Sequence, residues 1–146
     1  MLVQPYLFFD GDCEEAIGFY RDALGGELEA LMRYRENPET PPPECAPPAG
    51  WEDKVMHACL RIGDLRLMAS DDASRQSTRF QGFSLALTVP DEAAADRAFA
   101  ALVEGGQVLM PLDRTFWSPR FGMLVDRFGV GWMVMALATP CPDTAA

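Results

Sequence analysis

Few side chains in this sequence can do chemistry. His57 is the single histidine. Its imidazole changes charge near neutral pH, so it is the natural candidate for a general base or for orienting a polar ligand. A core histidine satisfied by a backbone carbonyl is the competing reading, because one titratable group does not define a catalytic pair. Phe116, Trp117, Arg120 and Phe121 surround Pro119. They suit the wall of a pocket for a planar or anionic molecule, with the Arg120 guanidinium as the fork for a carboxylate or phosphate. They equally suit a subunit interface, where Trp, Phe and Arg are enriched. Cys13, Cys45, Cys59 and Cys141 form no C-x-x-C pair and no zinc-binding spacing. Free thiols are expected, with Cys13 in the first turn of a helix, where the dipole favours thiolate or where a small residue is simply tolerated.

The elements that must position these groups come in two similar sets. Pro5-Tyr6-Leu7-Phe8-Phe9, then residues 12–24, then Gly25-Gly26, match Phe83 to Val89, then residues 91–104, then Gly105-Gly106 at a shift of 80. Each set reads as strand, helix, glycine stop and further strands. Asp12 and Glu15 have the spacing of a capping box, and Asp91 is the N-cap of the second helix. Ala16, Ile17, Phe19, Tyr20 and Leu24 form the apolar face of the first helix. Ala95, Ala98, Phe99 and Leu102 form that of the second. Glycine is expected to end both helices in the left-handed conformation.

Strands are expected at 27–34, 55–62 and 65–69, with a hairpin across Gly63-Asp64. The second set supplies 107–110, 123–126 and 131–137. The order βαβββ, twice, predicts an α+β fold: a mostly antiparallel curved sheet with its helices on one face. Six of the twelve prolines fall between Arg35 and Lys54, a stretch too stiff to join a central strand. Trp51 ends that loop, as an anchor or as a cover over a pocket.

Strand alternation sorts the faces. If Ile62 pairs with Leu65, then Leu60 faces Leu67 and Ala58 faces Ala69, an apolar surface for the helices. The other face pairs Arg61 with Arg66, Cys59 with Met68 and His57 with Ser70, a mixture suited to a cavity wall. Phe83, Leu85, Leu87 and Val89 are expected under the second helix, with Ser84, Ala86 and Thr88 opposite. Arg33 and Tyr34 close the second strand near the mouth of the cavity, Arg61 and Arg66 belong to a solvated hairpin tip, and Met68, Met110, Met123, Met133 and Met135 make either an adaptable apolar lining or core filler.

With 146 residues, 49% hydrophobic and 23% charged, the chain has the composition of one ordinary globular domain. One domain over 1–138, built of units at about 2–70 and 82–137, is expected, with 139–146 as a flexible tail. The net charge of −10 argues against nucleic acid, which requires clustered Lys and Arg. No apolar run reaches the length of a membrane span. No signal peptide is visible at the start, so cytoplasm is expected.

Three stretches carry a resemblance. Residues 6–16 (YLFFDGDCEEA), residues 54–64 (KVMHACLRIGD), and residues 115–123 with 126–129 (TFWSPRFGM, DRFG) resemble PhnB-like proteins of the vicinal-oxygen-chelate (glyoxalase/bleomycin resistance/dioxygenase) superfamily. The resemblance spans about residues 2–137; the proline-rich loop is longer than the family pattern. Such proteins are sometimes labelled demethylubiquinone methyltransferases, but no glycine-rich cofactor loop follows the first strand here. The superfamily's metal enzymes place one His, Gln or Glu on each of four strands. That pattern, laid on this chain, falls on Pro5 (or Gln4), Met68, Ser84 and Met133, which cannot hold a divalent cation.

The resemblance and the face assignments together imply a metal-free, cofactor-free protein that binds a small molecule in an apolar cavity, as a homodimer. His57 is the catalytic candidate if any reaction occurs, and Arg33, Cys59, Met68, Trp117, Arg120 and Met133 are the binding candidates. Two alternatives stand beside it. One is a metal-dependent enzyme of the superfamily (lyase, dioxygenase or resistance type) with displaced ligands such as His57 with Asp71, Asp72 or Asp126. The other is a structural or regulatory dimer without a ligand. Whether the protein is an enzyme stays open at this point.

Overall fold

The computed structural model describes residues 1–74 and 79–138; the expected tail and Cys141 lie outside the described residues. The chain divides into two compact units, 1–78 and 79–146. The first contains β1 (Tyr6–Phe9), α1 (Cys13–Leu24), β2 (Glu27–Arg33), β3 (Val55–Ile62) and β4 (Leu65–Asp71). The second contains β5 (Leu85–Val89), α2 (Glu92–Val103), β6 (Gln107–Asp113), β7 (Phe121–Val125) and β8 (Gly131–Ala136). Each unit is therefore βαβββ, as its sequence pattern implies. The sheets run β1-β4-β3-β2 and β5-β8-β7-β6. In each, the first and last strands pair in parallel and the remaining neighbours are antiparallel.

The hairpin register matches the alternation argument: Ile62 pairs Leu65, Leu60 pairs Leu67, Ala58 pairs Ala69 and Cys59 pairs Met68. One face of unit 1 is consequently apolar. Leu7, Phe9, Ala58, Leu60, Leu67 and Ala69 are buried there together with Cys13, Ala16, Ile17 and Tyr20 of α1, which packs on β3 and β4. Full burial of each large side chain in this layer contributes roughly 1.5–3 kcal/mol. In unit 2, Ala95, Ala98, Phe99 and Leu102 of α2 are buried with Leu124, Trp132, Val134 and Ala136. Gly122 belongs to the same layer, since a Cβ there would lie 2.8 Å from the Phe99 ring.

Repeated glycine pairs have a divided role. Gly25, at φ 67°, closes α1 in the left-handed conformation. Gly26 and Gly106 instead allow the chain to pass close to the neighbouring strand: an added Cβ would meet the Arg61 carbonyl at 3.0 Å and the Val125 carbonyl at 2.2 Å. The second helix departs from expectation at its end. Its C-cap is Glu104 in extended conformation, and Gly105 (φ 76°) makes the turn one residue later.

The helix starts also differ. Asp91 accepts from the Ala94 amide at 2.7 Å, as an N-cap should. Asp12 sits at the N-cap of α1 but its side chain makes no capping hydrogen bond. Asp71, at the end of β4, does the work in its place. Its Oδ1 accepts from the Gly11 amide (2.8 Å) and the Cys13 amide (3.0 Å), and its Oδ2 accepts from the Val55 amide (3.0 Å). One buried carboxylate thus ties the entry of α1 and the start of β3 to the end of β4. Its negative charge also complements the positive end of the helix.

Several boundaries move. β2 ends at Arg33, and Tyr34 begins a short 3-10 turn. β4 runs on to Asp71, taking Ser70 and Asp71 out of the expected loop. β6 continues through Pro111 to Asp113; Pro111 is tolerated because β6 is an edge strand. β7 starts at Phe121 rather than Met123. Phe83 precedes β5 and is 46% exposed, packed edge-on against Phe80 rather than under α2.

Candidate functional site

The face of each sheet turned away from its helix carries the chemistry. Ladder partners share a face, so a row can be followed across each unit. In unit 1 the central row is Ala30, Cys59, Met68 and Tyr6. In unit 2 the corresponding row is Met110, Met123, Met133 and Ala86. Both units carry a register shift at the same place, between Leu28 and Ala30 and between Val108 and Met110. The two faces thus share a framework and differ in chemistry.

Unit 1 presents an ionisable face. The Tyr6 hydroxyl and His57 Nδ1 are hydrogen-bonded at 3.1 Å, and the two rings lie 5.8 Å apart. Phe8 flanks Tyr6 at 5.0 Å. Cys59 is nearly buried beside them and its thiol reaches Glu29 Oε2 at 3.8 Å. Burial, and then the Glu29 charge, push this thiol above its ordinary range, so it stays protonated. Glu29 itself is engaged by Arg66 at 2.6 and 3.2 Å, which holds its carboxyl below the usual range. Arg61 pairs with Glu27 and Glu29. Arg61 and Arg66 are solvent-exposed at the hairpin tip, as expected, and there they form half of an ion-pair network beside the sulfur row.

The sequence-derived candidates separate into groups. His57, Cys59 and Met68 do share one face, and Tyr6 and Glu29 join them. Neither was singled out from sequence; Tyr6 was visible only as an apolar-strand residue. Arg33 is engaged elsewhere: its guanidinium is held by both oxygens of Glu14 on α1 at 2.7 and 2.8 Å and by the Asp53 carbonyl. That pairing lowers the Glu14 carboxyl below its ordinary range. Arg120 likewise rests on Asp96 of α2, with Nε 3.2 Å from Oδ1. Met133 stands on the open face of unit 2.

Trp117 lies in unit 2 against Phe116 and Phe121, with ring centroids 4.7 and 5.3 Å apart. It lines a cavity of about 300 Å³ with Arg114, Thr115 and Ser118. The arginine in that wall is therefore Arg114, and Arg120 is absent from it. Ser118 pins the loop by donating to the Ala136 carbonyl at 2.7 Å. A neighbouring cavity of about 530 Å³ is lined by Pro90, Ala93, Pro119 and Leu137. In unit 1, a cavity of about 270 Å³ forms between the proline-rich loop and Asp72, with Tyr34, Cys45 and Pro47 in its wall.

Cys13 is fully buried, with its thiol pushed well above its ordinary range by burial and then by the nearby Asp71 charge. A reactive thiolate at the helix start is thereby excluded.

The donor sets do not suit a divalent metal. Met68 and Met133, on which the superfamily's ligand pattern falls in the last strands, are ladder partners of Cys59 and Met123 on the open faces. Pro5, Gln4 and Ser84 precede their strands, and the ladder partners of the methionines are Tyr6 and Ala86. Thioether, phenol and methyl groups offer no imidazole or carboxylate. Displaced ligands fare no better. Asp71 is committed to three amides, and Asp126 accepts from the Phe128 and Val130 amides and from Trp132 Nε1 at 2.9–3.0 Å. Asp72 is engaged by Ser74. Among the described residues, no group of three or more His, Cys, Asp or Glu is placed to hold an ion.

Two βαβββ units with open, four-stranded faces define a recognisable class. The profile of the Glyoxalase/Bleomycin resistance protein/Dioxygenase superfamily matches residues 3–134, and the chain belongs to that superfamily. Within it, the chain is 33% identical to Protein YjdN of Escherichia coli K12, over 92% of this chain and 94% of that protein. Among solved structures it is similar to protein PA1353 of Pseudomonas aeruginosa (46% identity, TM-score 0.83, covering 94% and 98% of the two chains). It is also similar to a Bacillus cereus PhnB protein, described as a putative 3-demethylubiquinone-9 3-methyltransferase (30% identity, TM-score 0.77, covering 93% and 99%).

Proposed function

We propose that this protein is a metal-independent, PhnB-like small-molecule-binding member of its superfamily, whose ligand is engaged by the open face of unit 1. The observation that carries this reading is the Tyr6–His57 pair, which stands beside Cys59 and Met68 where a metal ligand would otherwise be expected. A phenol and an imidazole in contact offer one donor and one acceptor to a polar group, while Met68, Phe8 and Cys59 supply apolar contact. If a reaction occurs there, His57 is the group placed to take or give a proton, with Tyr6 holding its ring. An anionic substrate would reach Arg66, on the strand and face of Met68, by displacing Glu29 from its guanidinium. Transfer of a methyl group, as the description of the Bacillus cereus protein suggests for that relative, has no support in this chain's own residues.

The test is calorimetric titration with Zn(II), Mn(II) and Ni(II), followed by a ligand screen read from the single histidine's ring resonances. Divalent metals are expected to give no stoichiometric site tighter than about 1 mM, whereas a true ligand shifts the His57 signals in the wild type and much less in Tyr6→Phe. One micromolar divalent site per chain, lost in His57→Ala, overturns the proposal. A cytoplasmic homodimer is part of the same reading; it is supported by Phe116, 97% exposed beside the half-exposed Trp117, as aromatic surface suited to a second copy.

A further inference from the structure

The open face of unit 2 is built from thioethers. Met110 pairs with Met123 and Met123 pairs with Met133, so three methionines stand side by side on adjacent strands. Met135 follows on the same face, opposite Phe121. Four of the chain's eight methionines occupy this one surface. On the helix side of the same strands stand Val108, Leu124, Trp132 and Val134, with no methionine among them. An apolar surface alone does not demand that segregation, because Leu, Ile or Val would fill it with better-defined rotamers. What distinguishes a thioether is an uncharged, soft lone pair.

We propose that Met110, Met123 and Met133 form a thioether site for a soft monovalent cation of the Cu(I) type. Neighbouring ladder partners are about 4.5–5.5 Å apart at Cα. Each methionine has three rotatable bonds, so three sulfurs in one row can converge on a single ion. Thioethers select Cu(I) and reject hard divalent ions, for which this row holds neither imidazole nor carboxylate. Met110 is 45% exposed, and Met123 and Met133 are partly exposed, so an ion has access. The corresponding row of unit 1 keeps sulfur at its two inner positions, Cys59 and Met68, but has Ala30 in place of the third. Three thioethers are therefore peculiar to unit 2, and this site does not depend on the proposal made for unit 1.

The experiment labels the methionine methyl groups with carbon-13 and titrates the protein with Ag(I), a redox-stable stand-in for Cu(I). Thiols such as the exposed Cys45 take up silver too, but the methyl signals report only on thioethers. The Met110, Met123 and Met133 signals are expected to shift together and to saturate at one ion bound among them, while Met32 and Met56 stay in place and Zn(II) moves none. Met123→Leu, a volume-conserving change, is expected to abolish the shifts at Met110 and Met133, with Met133→Leu as the second variant should the first disturb the fold. Absence of any shift in excess Ag(I) overturns the proposal. So does a response at Met110 and Met133 that survives Met123→Leu, because it would mean separate adventitious binding.

Discussion

Replacing Asp71 with alanine tests a buried side chain that ties three segments of unit 1 together. The carboxylate is 1% exposed and accepts three amides, from Gly11, Cys13 and Val55, at 2.8–3.0 Å. A buried donor left without a partner costs about 1–3 kcal/mol. Water entering the space left by the truncation recovers part of this, so Asp71→Ala is expected to lose roughly 4 kcal/mol, a large share of the 5–15 kcal/mol typical of a domain. Asp71→Asn keeps an oxygen for Gly11 and Cys13 but turns an NH₂ group toward the Val55 amide, which predicts a loss of about 2 kcal/mol. Urea unfolding followed by circular dichroism measures both, with the slope m expected to hold while the midpoint falls. Hydrogen exchange supplies a local readout: the amides of Gly11, Cys13 and Val55 should lose protection in the alanine variant, and only Val55 in the asparagine variant. If Asp71→Ala loses less than about 1 kcal/mol, or those amides stay protected, the three-way tie does not hold unit 1 together as argued.

Three further outcomes are expected. Asp12 has its carboxyl raised above the ordinary value by burial and then by the charges of Asp71, Glu15 and Asp10; a raised acid disfavours folding above its folded pKa, so Asp12→Asn should raise the urea midpoint at pH 7, by a small amount because solvent screens this exposed side chain, and the gain should vanish below pH ~3.8, where the unfolded group is also protonated. Gly106→Ala places a Cβ 2.2 Å from the Val125 carbonyl and should prevent correct pairing of β6 with β7, whereas Gly25→Ala, with open space around it and only left-handed backbone to contend with, should cost about 1–2 kcal/mol; thermal melts of the two variants distinguish them. Phe116→Ser should weaken self-association without loss of helix or sheet, seen as a lower apparent mass in light scattering across a dilution series; an unchanged mass removes that residue from the interface.

The fold was legible because its signals are local. Both helices are marked by apolar residues three and four apart, the β3–β4 register follows from a two-residue turn, and alternation along those strands places His57, Cys59 and Met68 together. The same alternation put Met68 on the open face, and the superfamily's ligand pattern put Met133 there. What it missed depends on partners distant in sequence. Asp12 looks like a cap, but the acceptor that serves Gly11 and Cys13 is Asp71, about 60 residues away. Arg33 lies at a register shift, where alternation stops predicting direction, and Arg120 lies before β7, where there is no alternation to use. Glu14 and Asp96, which engage them, are helical residues with no signal beyond solubility. Tyr6 escaped notice because its significance comes from a parallel pairing between β1 and β4, a non-local contact that no turn announces.

The complete burial of Cys13 gives the molecule an internal clock. A thiol that is protonated and shut away from solvent can react with an alkylating agent only when its surroundings open, while Cys45, exposed on the proline-rich loop, is modified at once. The lag between the two modifications therefore records how often the first unit breathes, and it can be followed by mass spectrometry in any condition the protein tolerates.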